Sequence, residues 1–145
     1  MPDFRRVTAS FSVAPQILEA DIPAAAAAGF TTIIVNRPDR EDPGQMPMAA
    51  AQAATEAAGM TFIAIPVSGP PSRDAVAATA AAIADATGPI LAYCRSGTRS
   101  VTLWALATAR AGGMSTADIL NAAREAGYDL SAHTAALEAL RNGAQ

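Results

Sequence analysis

Three short apolar segments recur along the chain, and their residue types favour buried strands. Residues 31–35 are Thr-Thr-Ile-Ile-Val, which are all β-branched, and residues 61–65 and 90–93 are similarly apolar. Such runs, bounded by glycine, proline or polar residues, are typical of strands that are covered on both faces of a parallel sheet. A weaker alternation over residues 7–13 predicts a further strand at the edge of the sheet.

Alanine-rich segments with helix start and stop signals lie between these strands. Asp21 is the predicted N-cap of the first helix, and Gly29 ends that helix. Ser72 and Ser115 are the predicted caps of two later helices, because a serine hydroxyl accepts an N–H of the first turn. The predicted helices cover residues 21–28, 46–58, 72–86, 98–111, 115–126 and 131–140.

This alternation predicts a single α/β domain over residues 1–145. Its sheet should be mostly parallel, with about four to five strands flanked by helices. In open sheets of this class, ligands bind at the carboxyl ends of the strands. Three polar or glycine-rich segments follow predicted strands and should meet at that edge in one cleft: residues 36–44, 66–71 and 94–99.

The segment after the strand at residues 90–93 carries the clearest candidate chemistry. It reads Cys-Arg-Ser-Gly-Thr-Arg, and a predicted helix begins within it. Gly97 allows the chain to curl tightly, so that its amides and the helix N-terminus face an anion. These donors and Arg99 favour ionisation of Cys94, the predicted nucleophile. Ser100 is expected to hydrogen-bond the sulfur, and the other anion-binding residues of the loop are Arg95, Ser96 and Thr98.

Composition and charge narrow the classes of protein that fit. The net charge is −3 and all ten cationic residues are arginines, which leaves no basic surface for nucleic acid. A single cysteine cannot form an internal disulfide, which favours a reducing compartment. The N-terminus lacks an apolar signal core, and no apolar run reaches the roughly 20 residues that span a bilayer. We therefore expect a cytoplasmic protein that binds neither nucleic acid nor membrane.

The loop and several flanking segments also carry a family resemblance. Residues 93–100 resemble the active loop of rhodanese-type sulfurtransferases and a shortened form of the cysteine-phosphatase loop. Together with residues 36–39, 42–45 and 65–67, they resemble the phosphatase-like domain of the bacterial beta-lactamase-hydrolase-like family. The resemblance implies a dual-specificity-phosphatase-like fold. It also implies a partner, because some members are fused to a metallo-β-lactamase-like hydrolase that oxidises persulfides; no such second domain is recognised in this chain.

Departures from the phosphatase pattern favour sulfur chemistry. Phosphatase loops carry one residue more between the cysteine and the arginine, and a histidine stands where this chain has Tyr93. The segment 66–71 has no acid, and the next one is Asp74, whereas expulsion of an ordinary alcohol from a phosphate ester needs a proton donor. The main expectation is therefore a sulfurtransferase that moves sulfane sulfur from a small anionic donor, through a Cys94 persulfide, to a low-molecular-weight or protein thiol. The alternatives are a cysteine-dependent phosphatase and a non-enzymatic redox or sulfide-binding module.

A second group of candidates follows the strand at residues 31–35. Asn36, Arg37 and Asp39 either position the substrate, with Asp39 as a substitute acid, or stabilise their own loop. In the structural interpretation, Asp39 is a cap and Arg37 pairs with Glu41 or Asp42. One histidine and one cysteine cannot supply a structural zinc site, and we expect neither a metal nor a cofactor. His133 and Trp104 are expected at the surface and in the core, respectively.

Overall fold

The structure is a computed structural model and describes residues 2–143 of the chain. Five strands form one sheet in the order β1-β2-β5-β3-β4. Their bounds are β1 Arg5–Thr8, β2 Phe11–Ala14, β3 Thr32–Val35, β4 Thr61–Ala64 and β5 Ile90–Tyr93. The pairs β2–β5, β5–β3 and β3–β4 are parallel, which confirms the expected mostly parallel sheet.

The edge of the sheet differs from the prediction of one strand over residues 7–13. Two antiparallel strands, β1 and β2, occupy this region and are joined by a tight turn at residues 9–10. The Ser10 N–H donates to the Thr8 hydroxyl at 3.2 Å, which stabilises the turn between them. Because the chain reverses direction there, β2 pairs with the central strand β5 and β1 becomes the edge.

Six α-helices follow the predicted segments closely, and their ends have local causes. Ser72 and Ser115 accept the backbone N–H of Ala75 and Asp118, respectively, which confirms both predicted caps. Asp21 is the first helical residue and not the N-cap; its carboxylate accepts the Leu18 N–H. The helices are α1 Asp21–Ala27, α2 Met48–Ala57, α3 Arg73–Asp85, α4 Thr98–Ala111, α5 Thr116–Glu125 and α6 Thr134–Arg141, with a 3₁₀ turn over Ser131–His133.

The helices cover both faces of the sheet and hold α4 firmly in the core. One apolar cluster joins the sheet to α3, α4, α5 and α6, and a second joins the other face to α1 and α2. Trp104 is buried at the centre of α4 against Phe11, as expected. The N-terminus of α4 therefore has a fixed position beside the carboxyl end of β5. Within residues 2–143, no helix is long and apolar enough to span a membrane.

Candidate active site

The turn between β5 and α4 encloses the sulfur of Cys94. Gly97 is the N-cap of α4 and has a φ of 93°, a conformation that glycine adopts without a steric penalty. Its N–H donates to Cys94 Sγ at 3.0 Å. The Cys94 side chain is buried, so the backbone donors around it are shielded from water and their effect on the sulfur is strong.

Two opposing effects set the protonation of Cys94. Burial raises the pKa of the thiol, while the backbone N–H groups of Ser100, Ser96, Gly97 and Arg99 lower it. The hydrogen bonds outweigh burial, so the pKa of Cys94 lies below its ordinary value. This balance agrees with the expectation that the loop favours a thiolate.

Arg99 lies in the first turn of α4 and is held by a carboxylate from another loop. Its Nη1 and Nη2 each donate to one oxygen of Glu41 at 2.8 Å, and Nη1 also donates to the Val67 carbonyl oxygen at 2.8 Å. Hydrogen bonding to Arg99 lowers the pKa of Glu41 to about 2, so this carboxylate is ionised at neutral pH. The same guanidinium interacts with the Cys94 side chain, so Arg99 lies beside the sulfur.

Ser100 connects the loop to the ends of two strands through Asn36. The Ser100 hydroxyl donates to Asn36 Oδ1 at 2.7 Å, and Asn36 Nδ2 donates to the Ile65 carbonyl oxygen at 2.9 Å. Both side chains are buried. The expected bond from the Ser100 hydroxyl to the sulfur is therefore replaced: its backbone N–H serves the sulfur, and its hydroxyl fixes Asn36.

Arg37 and Asp39 adopt the structural interpretation. Arg37 is only 3% exposed and donates to Glu41, Asp42 and Gln16. Asp39 Oδ1 accepts the Met48 N–H at 2.8 Å and so caps α2. Burial and these bonds withdraw Arg37 from a substrate, whereas Asp39 is exposed and uses one carboxylate oxygen in its bond to Met48.

The remaining loop residues line the mouth of the site. Arg95 has a side chain that is 72% exposed and lies 4.0 Å from Asp42, so its guanidinium is accessible to an anionic substrate. The Ser96 hydroxyl donates to the Thr98 hydroxyl at 3.0 Å on the exposed side of the turn. Arg95 is therefore exposed at the rim, whereas Arg99 is held by Glu41 and the Val67 carbonyl.

Two residues of the site were not predicted from the sequence. Glu41 was considered as a partner of Arg37, but its larger role is the bidentate bond to Arg99. Tyr128 donates its hydroxyl to the Ser96 carbonyl oxygen at 2.9 Å. The three acids in the segment 36–44 gave a sequence signal for Glu41. No local pattern indicated Tyr128.

The carboxylates nearest the loop are all engaged. Glu41 and Asp42 accept bonds from arginines, and Asp39 caps α2. The segment 66–71 contains no acid, as noted from the sequence. Glu41 is ionised and so is unsuited to donate a proton to a leaving group, whereas Asp39 and Asp42 are exposed and use one oxygen each in these bonds. Among the described residues, no cluster of three or more histidine, cysteine or acidic side chains could hold a metal ion.

Comparison with known proteins assigns the chain to a family. Residues 3–111 match the model of the beta-lactamase hydrolase-like protein, phosphatase-like domain. The chain belongs to this family. The beta-lactamase hydrolase-like protein of Agrobacterium fabrum is 40% identical over 134 residues, which cover 92% of this chain and 31% of that protein. The corresponding Xylella fastidiosa protein is 37% identical over 103 residues, or 70% of this chain and 24% of that one.

A solved structure from Neisseria meningitidis, described as a candidate phosphatase, is similar over nearly the whole chain. It is 34% identical, with a TM-score of 0.83, and the match covers 97% of this chain and 100% of that one. The chain itself spans a third or less of the length of the curated relatives. The matched family and structure favour the phosphatase alternative over the sulfurtransferase expected from the short loop.

Proposed function

We propose that the chain is a cysteine-dependent phosphatase in which Cys94 is the nucleophile. The observation that carries this proposal is the set of backbone N–H groups of Ser96, Gly97, Arg99 and Ser100 directed at a sulfur with a lowered pKa. Donors in this arrangement stabilise both a thiolate and the oxygens of a bound phosphate. The similarity to a phosphatase-like family supports the same assignment.

The reaction has two steps, which the loop serves in turn. The Cys94 thiolate attacks phosphorus, an S–P bond forms, and the P–O bond to the leaving group breaks with its electron pair on oxygen. Water then attacks phosphorus and gives up a proton to solvent, the S–P bond breaks with its electron pair on sulfur, and phosphate leaves as the thiolate is regenerated. In both steps Arg99 and the loop amides hold the three non-bridging oxygens, on which charge is concentrated.

The engaged carboxylates restrict the leaving groups that this site can expel. Glu41 is ionised and bound to Arg99, and Asp39 and Asp42 are bound elsewhere. A leaving group must then depart without a proton from the protein, which selects groups of low basicity. We therefore propose aryl phosphates or phosphoanhydrides as the substrate class, and we expect alkyl phosphates to react slowly.

The test measures how fast the wild-type chain and Cys94→Ser hydrolyse a series of aryl phosphates. The leaving groups in the series become progressively less acidic. We expect the wild type to release phosphate over multiple turnovers, with rates that fall steeply as the leaving group becomes more basic. Acid quenching should trap phosphate on Cys94. Phosphate release that persists in Cys94→Ser would overturn the proposal.

A sulfurtransferase is the second candidate, and one observation favours it. Four residues separate Cys94 from Arg99, which makes a narrow loop, and sulfite or a thiolate leaves without the proton donor that this site lacks. The thiolate would attack the outer sulfur of thiosulfate, the S–S bond would break with its electrons on sulfite, and Cys94 would carry a persulfide. Cyanide or a thiol would then take the outer sulfur; a metallo-β-lactamase-like hydrolase is a candidate consumer of the persulfide product.

A paired assay on one preparation separates the candidates. Thiocyanate formed from thiosulfate and cyanide, together with a mass increase of one sulfur atom on Cys94, would establish sulfur transfer. Phosphate release without thiocyanate would establish the phosphatase. Oxidation at Cys94 with no turnover in either assay would indicate a redox module. A thiolate enzyme with one free cysteine suits a reducing compartment, so we propose a cytoplasmic location.

A further inference from the structure

Tyr128 reaches the back of the Cys94 loop from the segment that follows α5. It is 8% exposed, and its hydroxyl donates to the Ser96 carbonyl oxygen at 2.9 Å. The same oxygen of Tyr128 accepts Nη1 of Arg5 at 3.0 Å, and the Arg5 guanidinium lies 5.3 Å from the centre of the Tyr128 ring. Strand β1 and the C-terminal part of the chain therefore meet behind the loop.

The bond to Tyr128 fixes one peptide group. The Ser96 carbonyl and the Gly97 N–H belong to the same trans peptide, so they point in opposite directions. The carbonyl is bound to the Tyr128 hydroxyl, and the N–H lies 3.0 Å from Cys94 Sγ. Rotation of this peptide would break both bonds at once, so the tyrosine sets the direction of the N–H.

We propose that Tyr128 is a positioning residue that holds the Ser96–Gly97 peptide with its N–H directed at Cys94 Sγ. The inference rests on the role of Cys94 as nucleophile in the proposed function. It extends that role to a residue beyond the matched family segment, which ends at residue 111.

Close approach by Tyr128 also explains why residue 97 is a glycine. A Cβ placed on Gly97 would collide with the Tyr128 hydroxyl, so the hydroxyl occupies the space of a side chain. The positive φ of Gly97 disfavours any residue with a side chain, and the contact with Tyr128 also leaves no space for a Cβ. The position of the Tyr128 hydroxyl therefore requires a glycine at residue 97.

Arg5 strengthens the bond that Tyr128 makes. It donates to the phenol oxygen while the phenol donates onward to Ser96, and hydrogen bonds in such a chain polarise one another. Burial raises the pKa of Tyr128, so its hydroxyl keeps the proton that it donates. Two further charged groups lie next to this series of hydrogen bonds: Asp3, which accepts from Arg5, and Arg99, which interacts with Cys94.

The test measures the midpoint of the pH profile of Cys94 alkylation by iodoacetamide in the folded protein. Tyr128→Phe removes only the hydroxyl and should raise the midpoint by roughly half to one pH unit, because it loosens one of several donors to the thiolate. Tyr93→Phe is the matched control, since the Tyr93 hydroxyl is buried without a hydrogen-bond partner in the described structure. We expect the control to keep the wild-type midpoint.

A wild-type midpoint in folded Tyr128→Phe would overturn the inference and leave Tyr128 as a packing residue. If Tyr128→Phe does not fold, Arg5→Met tests the same series of hydrogen bonds. Arg6 is exposed and adjacent to Arg5, so Arg6→Met is the control for loss of charge. Arg5→Met should raise the midpoint more than Arg6→Met, and equal midpoints would overturn the inference. Alkylation requires no substrate, so these outcomes are independent of whether the chain hydrolyses phosphate.

Discussion

Arg99 and Glu41 lie 58 residues apart in the chain and meet in a bidentate ion pair, with both N–O distances at 2.8 Å. The pair connects the loop after β3 to the first turn of α4. It uses Nη1 and Nη2 of a guanidinium that also interacts with Cys94. Glu41 therefore fixes the position of Arg99, and it is ionised and so unsuited to donate a proton.

We predict that Glu41→Gln lowers kcat/KM for an aryl phosphate by about 10- to 100-fold. The estimate follows from the roughly 1.5–3 kcal/mol of a hydrogen bond to a charged group, at about 1.4 kcal/mol per tenfold change. The measurement is steady-state kinetics beside Glu56→Gln, an exposed glutamate on α2 that should behave as wild type. A kcat/KM in Glu41→Gln that equals or exceeds the wild-type value would contradict the prediction and show that the ion pair does not help Arg99 in the reaction.

The same ion pair predicts an acid-dependent loss of stability. Hydrogen bonding to Arg99 lowers the pKa of Glu41 from 4.5 to about 2, so the unfolded chain binds more protons between those values. The contribution of the pair is fully present above about pH 4.5 and is lost as the pH falls towards 2. Urea unfolding at pH 7 and pH 3 should show a larger loss of unfolding free energy for wild type than for Glu41→Gln. Equal losses would contradict the prediction.

Ser100→Ala should destabilise the protein through Asn36. The substitution removes the donor to Asn36 Oδ1 in a buried site and leaves that oxygen without a partner. A buried unsatisfied acceptor costs about 1–3 kcal/mol, and we expect that loss in the free energy of unfolding measured with urea. Ser131→Ala, at an exposed position, is the control and should lose less than about 0.5 kcal/mol. A loss in Ser100→Ala no larger than in the control would show that the Asn36 bond contributes little.

Gly97→Ala should impair both stability and Cys94 reactivity. Alanine at positive φ costs about 1–2 kcal/mol, and its Cβ would also displace the Tyr128 hydroxyl. Gly112→Ala is a close match, because Gly112 has a φ of 80° with no atom in the space of a Cβ. Both variants should lose unfolding free energy, but only Gly97→Ala should slow alkylation of Cys94 at neutral pH. Equal alkylation rates would argue against the contact with Tyr128.

Local patterns predicted the parts of the fold that depend on neighbouring residues. The β-branched run that became β3, the serine caps of α3 and α5, and the bounds of α4 were all apparent from the sequence. The turn at residues 9–10 was missed because it contains neither glycine nor proline and its flanks continue the same alternation. The Cys94 loop directly follows a predicted parallel strand, and that order alone was enough to place the loop at the carboxyl edge of the sheet.

The partners within the site depended on tertiary packing and could not be predicted in the same way. Glu41 and Asp42 are close to Arg37 in the sequence, so a bond to Arg37 could be predicted. The bond from Arg99 to Glu41 forms only because two loops meet at one edge of the sheet. Tyr128 approaches Ser96 across 32 residues through the packing of the C-terminal helices. The function expected from loop length, sulfur transfer, gave way to the phosphatase that the family comparison favours.

The central claim is that the folded loop lowers the pKa of Cys94, and titration of that thiol tests it most directly. The pH profile of Cys94 alkylation should be recorded for the native protein and for the same protein in denaturant. We predict a native midpoint below the denatured one, because the loop amides outweigh burial. A native midpoint equal to or above the denatured value would contradict the account.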